Sequence, residues 1–98
     1  MDRSVVVRYE TRPEEAEENA RLVADVYSAL AKAAPSGFRY ATYRLDDGVS
    51  FVHVATQQGE DNPLATLPEF ARFQQALGDR IVESPRASAA TIVGSYAG

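Results

Sequence analysis

Gly37–Thr56, GFRYATYRLDDGVSFVHVAT, decides the fold. Phe38, Tyr40, Tyr43 and Leu45 stand before Asp46-Asp47-Gly48, and Val49, Phe51, Val52 and Val54 stand after it. Aromatic and β-branched side chains fit a pleated, half-buried surface, so each run reads as a strand. Asp-Gly between two such runs signals a hairpin, because Gly48 takes positive φ at little steric cost. Two registers are open. A turn at Asp47-Gly48 pairs Asp46 with Val49 and sets His53 opposite Thr42; a bulged turn at Asp46-Asp47-Gly48 pairs Leu45 with Val49 and sets His53 opposite Ala41. In either, His53 shares a face with Val49, Phe51 and Ala55, and neither face is plainly polar. A sheet with one face in water alternates more cleanly, so both faces are expected to be at least partly covered.

Working outward, Ser4–Glu10 reads as a first strand, with Val5, Val7 and Tyr9 on one face and Val6, Arg8 and Glu10 on the other. Thr11-Arg12-Pro13 stops it. A helix follows from about Arg12 or Pro13 to Ala34, opened by a capping-box pattern, Thr11 to Glu14, with Pro13 in its first turn. Ala16, Ala20, Val23, Val26, Tyr27, Leu30 and Ala34 form its apolar stripe, and Asn19 borders that stripe. Beyond the hairpin, residues 57–66 read as a polar loop in which Leu64 is the one large apolar residue. A second helix, from about Leu67 to Val82, repeats the start pattern as Thr66 to Glu69 and carries Phe70, Phe73, Leu77 and Ile81 as its stripe. Ala87–Tyr96 reads as the last strand. The order is β-α-β-β-α-β. It predicts an α+β, ferredoxin-like domain over residues 1–98: a four-stranded antiparallel sheet with two helices on one face.

Composition narrows the function. The chain has 98 residues and no cysteine, so neither a disulfide framework nor a thiolate metal site is available. Its net charge of −4 argues against nucleic acid, whose phosphates need a basic face. The N-terminal stretch MDRSVVVRYE holds only Val5-Val6-Val7 as an apolar run, too short for a signal peptide or a membrane span. A cytoplasmic protein with a small-molecule or protein partner is the expectation. No phosphate-binding loop, dinucleotide fingerprint, zinc spacing or nucleophile elbow is present, so neither metal nor cofactor is expected.

The strand FVHV (Phe51–Val54) followed by Asn62, Pro63, Leu64, Leu67, Pro68, Phe70, Phe73 and Gln74 resembles small bacterial proteins of the dimeric α/β-barrel superfamily, nearest to its antibiotic-biosynthesis monooxygenases. The resemblance implies that two such sheets pair face to face as a homodimer, with helices outside. It also implies a cofactor-independent monooxygenase-like reaction on an aromatic or polyketide-like molecule: base-assisted deprotonation, then reaction with O₂. The monooxygenase group often carries Glu-x-Trp at the end of the third strand. Here that place reads Ala55-Thr56-Gln57, and the chain has no tryptophan. Haem-degrading members use a helical histidine, and neither helix here has one. The alternative is a non-catalytic dimeric binding or structural module.

His53, the chain's single histidine, is the candidate catalytic residue, since imidazole near neutrality serves as acid, base or ligand. Its competing reading is a hydrogen-bonded histidine in a packing layer. Asn19, Tyr27, Tyr40, Tyr43 and Phe51 are the candidate substrate-binding residues, with Tyr9 and Tyr96 as further aromatic lining; strand tyrosines serve equally as packing residues. Arg39 and Arg44 can grip an anion, or form ion pairs with Asp46, Asp47 or Glu60. A cavity between helices and sheet would favour the small-molecule reading; a cleft filled by Phe70, Phe73 and Leu77 would favour the other.

Overall fold

The computed structural model describes residues 2–59 and 61–98. Strands β1 (Asp2–Glu10), β2 (Phe38–Arg44), β3 (Ser50–Gln58) and β4 (Arg86–Ala90) form one sheet, ordered β2-β3-β1-β4 with every neighbouring pair antiparallel. Helix α1 (Ala16–Ala33) joins β1 to β2; α2 (Pro68–Gln75) and the short α3 (Leu77–Arg80) lie between β3 and β4. This is the ferredoxin-like α+β arrangement that the hairpin and the helical stripes predict. No helix among the described residues is long and apolar enough to cross a membrane.

The hairpin takes the first of the two registers, with Thr42 opposite His53 and Arg44 opposite Phe51. Its turn differs from both expectations. Gly48 N donates to Leu45 O and Leu45 N to Ser50 O, so the loop is Asp46–Val49. Gly48 sits at φ 79°, and the Asp47 carboxylate accepts from the amides of Val49 and Ser50 and from the Ser50 hydroxyl. Those hydrogen bonds hold the Asp47 carboxyl below its ordinary range.

One sheet face packs on the helices. Tyr9 from β1 and Phe51 from β3 meet Val23 and Val26 of α1, Phe73 of α2, and Leu64 and Ile81 from the connections. Leu64 pins the loop after β3, as expected, from a 3-10 turn (Pro63–Thr66) capped by the Asn62 side chain on Leu64 N. Among the described residues the opposite face of the sheet carries no helix.

Four sequence expectations are corrected. Neither capping box forms. Thr11 is fully buried and continues the sheet, bridging Ile81 and donating N–H to Val49 O, so a 3-10 turn at Pro13–Glu15 opens the first helix instead. Thr66 turns its hydroxyl back onto Pro63 O. The second helix does not run unbroken to Val82: it ends at Gln75, where the Arg80 guanidinium takes the Phe73 carbonyl, and Gly78 weakens the continuation. Ile81 is buried through its bridge to Thr11 rather than as part of a helical stripe. The last strand stops at Ala90, not Tyr96. Ser4 faces Ala90 in that pair, so β1 has almost no length left to pair with residues beyond Ala90.

Candidate functional site

The pairing of three strands places the polar groups. Thr42 on β2 and Val7 on β1 flank His53 on β3, and the neighbouring inward positions are Tyr40 and Tyr9. His53 is 5% exposed, although strand β3 lies inside the sheet and its outer face is uncovered. Both ring nitrogens are engaged. Nε2 lies 2.8 Å from the Tyr9 hydroxyl; Nδ1 lies 2.6 Å from the Tyr40 hydroxyl and 3.1 Å from Thr42 Oγ1. Thr42 Oγ1 is in turn 2.9 Å from the Tyr27 hydroxyl. On the other side, Asn19 Nδ2 donates to the Tyr9 hydroxyl over 2.9 Å, and Arg80 Nε donates to Asn19 Oδ1 over 3.0 Å.

These groups form one continuous polar chain through an apolar layer. Asn19 is 0% exposed and Arg80 3%. Arg80 gives Nη2 to Phe73 O and lies over the Phe73 ring at 5.2 Å. Its Nη1 is buried with no partner, and no described carboxylate is paired with it. Burial sets the acidities. It pushes the His53 imidazolium down to about 4, because the charged form loses its hydration. Burial pushes the Tyr9 phenol up to about 12, against the Asn19 hydrogen bond and the Arg80 charge, which act the other way. Burial also raises Tyr40 and Tyr27, and lowers Arg80.

Beside this chain is a cavity of about 470 Å³ between the sheet and α2. Tyr9, Tyr40 and His53 border it on the sheet side, and Phe70, Phe73 and Leu77 wall it opposite without filling it. Its size falls within the range of small-molecule sites, and its lining is apolar around a few convergent polar groups. Arg3 also lines it, and none of its described lining residues is a carboxylate. Among the described residues no cluster of three His, Cys, Asp or Glu side chains is placed to hold a metal ion.

The sequence candidates divide. Tyr40 and His53 border the cavity together. Asn19 and Tyr27 reach it only through others, Asn19 through Tyr9, and Tyr27 by stacking on Tyr40 at 5.2 Å between ring centres. Phe51 lies in the core, stacked on Tyr9 at 5.7 Å and sealed from the cavity. Tyr43 pairs with Val52 on the opposite sheet face and is 57% exposed. Tyr96 is 94% exposed. Arg44 pairs at 2.9 Å with Glu17, which is not among its expected partners, and donates to Gly48 O; of the expected partners, Glu60 lies outside the described residues. Sequence reading missed Arg80, since an arginine in a last helical turn reads as a partner of the helix dipole.

No protein-family model matches the chain, and no curated protein matches its sequence. Solved structures do match. Rv0793 from Mycobacterium tuberculosis superposes with a TM-score of 0.79 at 16% identity, over 99% of this chain and 100% of that one. SnoaB, a cofactor-independent oxygenase from Streptomyces nogalater, gives 0.70 at 19% identity over 96% and 95%. A structure described as an antibiotic biosynthesis monooxygenase gives 0.71 at 13% over 96% and 100%. At such identities the likeness is one of fold, and the chain shares the ferredoxin-like fold of these proteins.

Proposed function

We propose that this protein is a homodimer that binds a small aromatic or polyketide-like molecule between its sheet and α2, and oxidises it without a cofactor. The observation that carries the reading is the cavity itself: an apolar space of about 470 Å³ with Tyr40 and His53 on one wall. The likeness in fold to a cofactor-independent oxygenase supports it. The reaction starts with loss of a proton from an acidic carbon of the substrate. The resulting carbanion passes electrons to O₂. A methylene carbon thereby exchanges two hydrogens for one oxygen, and the second oxygen leaves as water. Tyr40 and His53 touch the substrate; Asn19 and Tyr27 are positioning residues acting through Tyr9 and Tyr40. Phe51 supports the site from the core.

The dimer reading rests on the uncovered sheet face. Ala41, Val6, Val52 and Val54 are half-buried there and Tyr43 is exposed. Beyond β4, Ile92, Val93 and Tyr96 are also exposed. Two-fold pairing of such faces covers them, at roughly 2,000 Å² or more of total buried area for an obligate dimer. Tyr43 then serves the interface rather than the cavity. Residues 1–98 act as one folding unit within each subunit.

Oxygen uptake in the presence of a panel of hydroxylated anthrones and naphthols tests the enzyme reading. Uptake with at least one of them, lost in Tyr40→Phe and His53→Gln, is the expected result. A second reading, non-catalytic binding, is favoured by one observation: both nitrogens of His53 are already hydrogen-bonded, which leaves no free lone pair for a substrate proton. Saturable binding by calorimetry without oxygen uptake would establish that second reading.

A further inference from the structure

We infer that the chain from Arg80 to Tyr40 runs in a single direction, so that the cavity presents a hydrogen-bond donor and selects the anionic form of an acidic hydroxyaromatic ligand. This deepens the proposed binding site and does not depend on turnover.

The direction follows from which groups can donate. A guanidinium has donors and no acceptor, so the Asn19 atom at 3.0 Å from Arg80 Nε is the carbonyl oxygen. The amide nitrogen of Asn19 then faces Tyr9 and donates to its hydroxyl oxygen over 2.9 Å. Tyr9 has one hydrogen of its own and is buried, and the remaining partner within reach is His53 Nε2 at 2.8 Å. Nε2 therefore accepts. A neutral imidazole with an accepting Nε2 carries its hydrogen on Nδ1. Nδ1–H points at the Tyr40 hydroxyl, 2.6 Å away, with Thr42 Oγ1 farther at 3.1 Å. Tyr40 accepts there, and its own hydrogen is left for Thr42 Oγ1 or for a ligand oxygen at the cavity wall.

Every link thus carries hydrogen away from Arg80, and each hydrogen-bond dipole turns its positive end toward the cavity. Three other features add to this. Arg80 is in no ion pair among the described residues, and Glu18, Glu15 and Asp79 act on its charge only from a distance. No described residue lining the cavity is a carboxylate. Tyr27 from α1, the other titratable group at this end, is tied to Thr42 and stays neutral. In a site of low polarity such an arrangement favours a carbonyl, enolate or phenolate oxygen over a hydroxyl. The chain also has no acceptor end. A proton taken at Tyr40 cannot pass to Nδ1, which already holds one, and burial opposes the imidazolium. The ligand's own acidity, and not a protein base, would then govern its ionisation.

Two measurements test this on the intact protein. Long-range nitrogen–proton correlation spectra of wild-type protein near neutral pH should show His53 as the Nδ1–H tautomer. In Asn19→Asp the donor facing Tyr9 becomes an acceptor, so the Tyr9 hydrogen turns to it and His53 should switch to Nε2–H. An Nε2–H tautomer in the wild type overturns the inference, whether or not the variant folds. The ligand arm uses para-nitrophenol, whose phenolate absorbs in the visible. Bound to wild-type protein it should titrate about one pH unit below the free compound, roughly a tenfold preference for the phenolate. In Tyr40→Phe the probe should bind more weakly and, where bound, titrate at or above its free value. A probe that titrates at or above its free value on wild-type protein overturns the inference but leaves the aromatic site standing. Absence of any saturable binding overturns both. A phenolate preference without oxygen uptake by any substrate upholds this inference and removes the oxygenase.

Discussion

The Tyr9 hydroxyl and His53 Nε2 lie 2.8 Å apart on adjacent strands, each residue only 5% exposed. Their burial makes the stability of the fold depend on pH. Unfolded, the imidazole takes up a proton near its ordinary value of 6.5; folded, it does so only near 4. Between those values the unfolded chain binds the extra proton, so stability is complete above about 6.5 and falls as pH drops toward 4. The full difference is about 3 kcal/mol. Asp47 acts below its ordinary 3.8, outside this window. Urea unfolding followed across the window should show the fall in wild-type protein. His53→Gln should flatten it, and an equal slope in both would contradict the assignment.

Phe73 joins the core, the cavity and the cation. It is 4% exposed, its ring lies 5.4 Å from that of His53, and its carbonyl holds Arg80. Phe73→Ala should cost about 3–5 kcal/mol, from lost transfer energy and the void left behind. A loss below about 1 kcal/mol in denaturant unfolding would mean that α2 does not pack on the sheet as described.

Ala34 ends α1 in the left-handed region, at φ 45°, with its N–H on Leu30 O at 2.7 Å. A side chain there is strained, and glycine is the usual residue for this cap. Ala34→Gly should stabilise the protein by about 0.5–1 kcal/mol, read as a higher urea midpoint with an unchanged slope. A lower midpoint would place the strain elsewhere.

Light scattering coupled to size exclusion should find a species of about twice the 10.7 kDa chain mass at low micromolar concentration. Val54→Lys, on the uncovered face, should shift it toward monomer and make unfolding sensitive to protein concentration. A folded wild-type monomer would leave the apolar face without a cover and remove the dimer from the proposal.

The fold was legible because its signals are local. Asp46-Asp47-Gly48 between two apolar runs gives the hairpin, and the spacing of Val23, Val26, Phe70 and Phe73 gives the helical faces. Register was not legible. It depends on how the Asp47 carboxylate gathers the Val49 and Ser50 amides, a contact that two-residue and three-residue turn rules do not contain. The capping boxes misled because Thr11 belongs to a long-range bridge with Ile81, and tertiary pairing overrides a local cap. At the site, His53 and Tyr40 stood out by type. Asn19 and Arg80, 61 positions apart in the chain, become partners only when α1 and the segment after α2 meet over Tyr9.

Strand β1 precedes the other three strands and is completed last. Its neighbours in the sheet are residues 50–58 and 86–90, so it must wait unpaired while α1 and the hairpin are synthesised. The β2–β3 hairpin, closed by its own turn, needs no such wait. Long-range pairing carries the cost of closing long loops before any contact rewards it, whereas a hairpin forms in microseconds. On the ribosome, β1 therefore emerges before the hairpin and is paired after it. The valine-rich segment Val5-Val6-Val7 is the part of the nascent chain most in need of protection until β3 arrives.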